Sequence, residues 1–230
     1  MKYPIGIQSF DSLISEGYVY IDKTDLIFNL ATSGRYFFLS RPRRFGKSLL
    51  LSTLKAYFEG RRHLFDGLAI SRMESEWLEY PVLRLDLNAE DYNSEQSLVN
   101  LLNNQLTIWE KSYGVFESES SLALRFGGVI RRAYEQTGRK VVILVDEYDK
   151  PLLQSIDNPE LQERYRNILK AFYGNLKTCY QYIRFAFLTG VTKFGKISVF
   201  SDLNNLNDIS LDRRFSTICG ITEDEMKGVL

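Results

Sequence analysis

Short apolar runs alternate with longer stretches in which apolar residues recur every three or four positions. The runs YFFLS (36–40), PVLRLDL (81–87), VVILV (141–145) and IRFAFL (183–188) are nearly continuous, as strands buried on both faces of a sheet require. Gly46 to Phe58, Glu95 to Tyr113, Leu122 to Thr137 and Pro159 to Leu176 carry helical spacing. The alternation predicts an α/β fold, a parallel β-sheet with crossover helices on both faces. Before the first core strand, SFDSLISEGYVYIDKTDLI reads as a helix, a turn and a second helix, an N-terminal extension over 1–34 of a core that runs to residue 220. The last ten residues, ITEDEMKGVL, begin another helix: Thr222 can cap it and Glu225, three positions on, completes a capping box. That helix has almost no chain left, which suits a core followed by a further C-terminal helical region, or a naturally short protein.

Composition changes this picture little. With 230 residues, 44% hydrophobic and 13% aromatic, the chain can bury a sizeable core. Lys plus Arg and Asp plus Glu are both 29, so no bulk basic field supports nucleic-acid binding. Cys179 and Cys219 make neither a disulfide framework nor a metal-ligand spacing, and read as reduced core thiols. There is no signal-peptide run in MKYPIGIQSF and no stretch of 18 apolar residues, so the expectation is a cytoplasmic protein with no membrane partner. His63 is the only histidine, which rules out schemes needing two.

Chemistry enters at RPRRFGKS, positions 41–48, between the run YFFLS and the helical LLLSTLKAYF. A buried strand, a tight loop and Gly-Lys-Ser opening a helix is the setting a phosphate-binding loop needs. Arg41, Pro42, Arg43, Arg44, Phe45, Gly46, Lys47, Ser48 and Leu49 are the candidates to line a nucleotide's phosphates. In this reading Gly46 permits close approach, Lys47 brings a point charge to the β- and γ-phosphates, and the Ser48 hydroxyl is offered to Mg²⁺. The general pattern GxxxxGK[ST] has glycine where Arg41 stands, and arginine suits that position poorly if it needs φ > 0. A cationic helix start on a solvated loop is the bland alternative.

A second element is KVVILVDEYD, positions 140–149, an apolar run ending in two carboxylates. At the carboxyl end of a strand in an open α/β sheet these face the ligand crevice. Asp146 is the candidate magnesium ligand with Ser48, and Glu147 the general base that polarises the attacking water. A third run, IRFAFLTGVTKF, offers Thr189 or Thr192 to a γ-phosphate or lytic water, with backbone satisfaction at a strand end as the alternative for either. In LDRRFSTICG, Arg214 and less strongly Arg213 are arginine-finger candidates. Tyr20, with Asp22 and Lys23, is a candidate contact for the base or ribose, or else a surface turn. No guanine-type NKxD motif appears, which favours ATP.

On SFDSLISEGYVYIDKTDLI, RPRRFGKS with the leucines that follow, LVDEYDKPL, FLTGVTKF, ISVFSDLNNLNDISL and CGITEDEM, the chain resembles the bacterial AAA-ATPase-like family over essentially its whole length. The resemblance implies a P-loop NTPase of the AAA type, with an additional strand between the phosphate-loop and acidic strands and a catalytic glutamate beside the magnesium aspartate. It also implies that arginine at position 41 is a family variant. Members are typically longer, with a C-terminal domain similar to restriction-like nucleases whose acidic and lysine motif is missing from this sequence. The function expected is Mg²⁺-dependent ATP hydrolysis to ADP and phosphate, driving or regulating an attached C-terminal domain, with that domain or self-association as the partner beyond ATP and ADP. A nucleotide-dependent switch with little turnover is the alternative; a small-molecule kinase would want an acceptor site and a lid that nothing here marks.

Overall fold

β-branched and aromatic residues in unbroken series suit a pleated surface covered from both sides, and the expected runs form the strands. The computed structural model describes residues 2–193, 199–200, 203 and 205–228, so parts of FLTGVTKF and ISVFSDLNNLNDISL lie outside the described residues. In chain order the elements are α1 (Phe10–Ser15), α2 (Thr24–Ser33), β1 (Tyr36–Ser40), α3 (Lys47–Phe58), β2 (Val82–Asp86), α4 (Glu95–Tyr113), α5 (Leu122–Thr137), β3 (Val141–Asp146), α6 (Lys150–Gln154), α7 (Pro159–Tyr173), α8 (Asn175–Thr178), β4 (Ile183–Gly190), β5 (Asn207–Asp208) and α9 (Glu223–Lys227). All pairings among the five strands are parallel, in the order β2-β3-β4-β1-β5. β4 is thus the additional strand between β1 and β3, and the architecture is that of a P-loop NTPase.

Alternation along the strands feeds two cores. Phe37, Leu39, Val142, Leu144, Phe185 and Phe187 face α1, α2 and α3, burying Phe10, Leu30, Leu51 and Leu54. Phe38, Ile143, Val145, Ala186 and Leu188 face the other layer, where α4, α5 and α7 bring Leu102, Phe126, Ile130 and Phe172. Caps set the helix ends: Ser121 accepts from Leu124 N–H, Gly138 closes α5 with φ 65°, and Asn158 accepts from Leu161 N–H ahead of Pro159. The expected helix 159–176 breaks at Gly174. There Asn175 donates its amide to Ala123 and Phe172 carbonyls, pinning α8 to α5. α5 accepts this contact because a Cβ on Gly127 would meet the Asn175 amide oxygen at 2.6 Å. The fifth strand, two residues long, has no hydrophobic pattern to announce it.

Candidate active site

Register brings three strand ends level: Leu39 pairs with Thr189, Ser40 with Gly190, and Val145 with Leu188. From Ser40 the chain turns into the loop 41–46, whose residues 42–46 are exposed. Arg41 does not adopt a left-handed backbone; the positive φ values in this loop belong to Arg44 (62°) and Gly46 (86°). Position 41 therefore has no need of glycine, and its side chain takes a different task. The Arg41 N–H donates to Gly190 carbonyl, and its guanidinium donates to the Ser40 and Ser210 carbonyls, the latter at 2.7 Å. Gly46 sits just ahead of α3, whose first-turn N–H groups have no acceptors within the helix and form a site for anions.

Lys47 is 4% exposed. Its ammonium donates to the Arg41 and Pro42 carbonyls at 3.0 and 3.1 Å, so the loop curls around its own lysine, and it lies 3.8 Å from Glu147 Oε1. Ser48 is half-buried at the second position of α3, Leu49 packs against the core, and the exposed Phe45 ring lies against Gly220, where a Cβ would meet it at 2.7 Å.

Asp146 is fully buried. Its Oδ1 accepts from Thr189 Oγ1 at 2.7 Å, while Oδ2 has no hydrogen-bond partner among the described residues. The same Thr189 hydroxyl accepts from Glu147 N–H at 3.3 Å, so one buried threonine ties the two acidic residues together. Glu147 itself has φ 52°, a left-handed conformation that costs a glutamate roughly 1 kcal/mol or more. Burial pushes its carboxyl above the usual carboxylate range; Lys47 pulls it back, and Asp146 and Asp149 push it further up. Burial prevails over the Lys47 attraction.

Asp149, not singled out from the sequence, is also fully buried and holds the chain beyond β4. Its carboxylate accepts from the Val191 N–H, and from the N–H and hydroxyl of Thr192 at 2.8 and 2.9 Å. Gly190 must remain glycine because a Cβ there would meet the Tyr148 ring at 2.6 Å. The signal in the sequence was a third carboxylate three residues after Asp146. Asp149→Asn turns an amide donor toward these donors, and it should lower unfolding free energy by about 2–4 kcal/mol, measured by denaturant titration.

The other candidates sit apart from this cluster in their contacts. Tyr20 packs edge-on against Phe10, and burial raises its pKa well above the usual phenol value. Arg214 is exposed and forked onto Asp212, and Arg213 is exposed beside it in a short 3₁₀ turn. Asp22 caps Thr24 and accepts from Ala69 N–H, while the buried Lys23 reaches Glu225 at 2.5 Å. That contact follows from the observed Thr222–Glu225 capping box, which turns Glu225 back toward the core. Both cysteines are free and buried, and burial pushes the Cys219 thiol up to about 12. Among the described residues no helix is long and apolar enough to cross a membrane, and no three His, Cys, Asp or Glu side chains gather as a metal cage.

Residues 4–200 match the family described as Predicted AAA-ATPase. The chain is also similar to an uncharacterized protein in the vnfD 5′ region of Azotobacter chroococcum mcd 1, 44% identical over 230 residues, covering 99% of this chain and 44% of the relative. The chain therefore spans less than half the length of that curated relative. No solved structure matches it.

Proposed function

The chain belongs to the Predicted AAA-ATPase family, and from that premise we propose that it binds ATP with Mg²⁺ and hydrolyses it to ADP and phosphate. One observation carries this reading: the buried Lys47 of the phosphate loop stands 3.8 Å from Glu147, beside the fully buried Asp146 at the end of β3. The triphosphate lies along the N–H groups of the loop and the start of α3, with Lys47 exchanging the Arg41 and Pro42 carbonyls for the β- and γ-phosphate oxygens. That exchange releases Glu147 from its ion pair. Glu147 then orients a water and takes its proton as the water oxygen attacks the γ-phosphorus, while the bond to the ADP oxygen breaks. Thr189 holds the acidic pair in place, and Thr192 reaches the γ-phosphate only by turning its hydroxyl proton away from Asp149.

The site suits Mg²⁺ because its donors are oxygens and because Asp146 Oδ2 is buried without a hydrogen bond. Asp146 and Ser48 would hold the cation, which when bound neutralises charge on the phosphates. Few protein ligands are needed, since Mg²⁺ normally keeps waters and phosphate oxygens around it. Steady-state phosphate release by the purified chain, with and without EDTA, tests the proposal; no release above background in Mg²⁺ sinks it.

A second reading, a nucleotide switch with little turnover, is favoured by Arg214, which is engaged with Asp212 and not with the loop. As a finger it would act on a neighbouring subunit or after an attached region closes. Nucleotide retained through desalting, with no phosphate released, is the outcome that selects the switch. Coupling to a C-terminal domain is supported by Gly220 against Phe45, which puts the exit of the core in touch with the phosphate loop, and by Glu225 on Lys23, which ties it to the start of α2.

A further inference from the structure

Arg84, half-buried in the middle of β2, is in register with Leu144 and so on the same sheet face as Asp146, two residues further along β3. Its Nη2 lies 3.9 Å from Asp146 Oδ2, beyond a hydrogen bond but well within Coulomb reach. Two atoms are left without partners here: Arg84 Nε and Asp146 Oδ2 are both buried and unbonded among the described residues. A fully buried carboxylate needs compensating charge. Lys47 is committed to the loop carbonyls and Glu147, which leaves Arg84 as the cation directed at the free oxygen. On its outer side Arg84 lines a cavity of about 260 Å³ with Asp11, Ser52, Lys55, Glu59 and Arg61. Across that cavity Asp11 and Glu59 are engaged by Arg61 and Lys55, which leaves Asp146 as the carboxylate paired with Arg84 among the described residues.

We propose that Arg84 is a built-in counter-cation for Asp146, a positioning residue that occupies the charge requirement of the metal site in its metal-free form and sets the Mg²⁺ concentration at which the site fills. The inference rests on the ATP and Mg²⁺ reading above. A dication held by Asp146 would meet a like charge 3.9 Å from Oδ2, so part of its binding energy would be spent displacing Arg84 outward into the cavity that it lines. Removing the guanidinium charge therefore makes Mg²⁺ bind more easily, the opposite of what loss of an ordinary site residue does.

The test is binding of N-methylanthraniloyl-ADP to the full chain, followed by fluorescence anisotropy over a series of free Mg²⁺ concentrations at constant ionic strength. Arg84→Gln is expected to lower the half-saturating Mg²⁺ concentration roughly tenfold, while leaving affinity without Mg²⁺ unchanged. Arg84→Lys keeps the charge and should stay near the parent. Thermal melting of each variant checks folding, and Arg84→Met replaces Arg84→Gln if the latter does not melt cooperatively. An unchanged or higher half-saturating concentration in the uncharged variants, or an equal fall in Arg84→Lys, overturns the inference alone. ADP binding by the parent that is indifferent to Mg²⁺ overturns the magnesium reading, and this inference with it.

Discussion

Lys47→Ala is expected to lose ATP affinity by roughly 10- to 100-fold, the value of one or two charge-assisted hydrogen bonds at about 1.5–3 kcal/mol. The loss should appear in ADP binding as well, because the ammonium acts on phosphate already present in the ground state. The structure adds a second effect in the nucleotide-free protein. Lys47 satisfies the Arg41 and Pro42 carbonyls and faces Glu147, so truncation unbinds the loop and leaves a largely buried carboxylate without its cation. The empty loop should therefore loosen, seen as faster amide exchange across 41–46. Isothermal titration calorimetry with both nucleotides decides the matter; parental affinity in a folded Lys47→Ala protein would falsify the phosphate-loop assignment.

Glu147→Gln should fail differently, with turnover down by about 10²- to 10⁴-fold and ATP affinity close to that of the parent. Its effect on stability has the opposite sign. Burial holds the Glu147 carboxyl above the ordinary range, so the fold favours the protonated form. The stability from that preference is fully present below the ordinary carboxylate value and is lost as pH rises through the raised one. Glutamine imitates the protonated form at every pH. The variant should therefore melt higher than the parent at neutral pH without nucleotide, and the gap should close as the pH falls to about 4. Single-turnover hydrolysis and melting curves at both pH values test the two halves; parental hydrolysis by Glu147→Gln removes it as the base, and an equal or lower melting point at neutral pH removes the burial argument.

What could be read from the sequence was whatever a local pattern encodes. Tyr36–Ser40, Glu95–Tyr113 and Leu122–Thr137 form with the expected bounds because apolar runs, helical stripes and caps are short-range features. Gly-Lys-Ser after a buried strand and Asp-Glu at the end of another carried the site for the same reason. The harder features depend on residues far apart in the chain. Arg84 with Asp146 and Arg41 with Ser210 follow from sheet order, and Lys23 with Glu225 from the packing of two distant helix starts; none leaves a periodicity behind. Arg41 was suspect as a misplaced side chain, yet its backbone never needs glycine, because the left-handed turns fall at Arg44 and Gly46. Tyr20 read as a contact for the base or ribose, or as part of a surface turn; its ring packs edge-on against Phe10.

The strand order also governs when the nucleotide site can come into being as the chain is synthesised. β1, which launches the phosphate loop, finds both its neighbours late: Tyr36 pairs with Ala186 and Phe38 with Asp208. β2 and β3 can meet earlier, but they supply only the acidic side. At about 5–20 residues per second, the loop and its lysine would wait on the order of ten seconds or more for their strand to be enclosed. During that interval YFFLS is an unpaired apolar segment, the kind most exposed to wrong association. A nascent chain should thus remain unable to hold nucleotide until β4 and β5 have emerged, and a chaperone that shields residues 36–40 would act on the slowest part of its assembly.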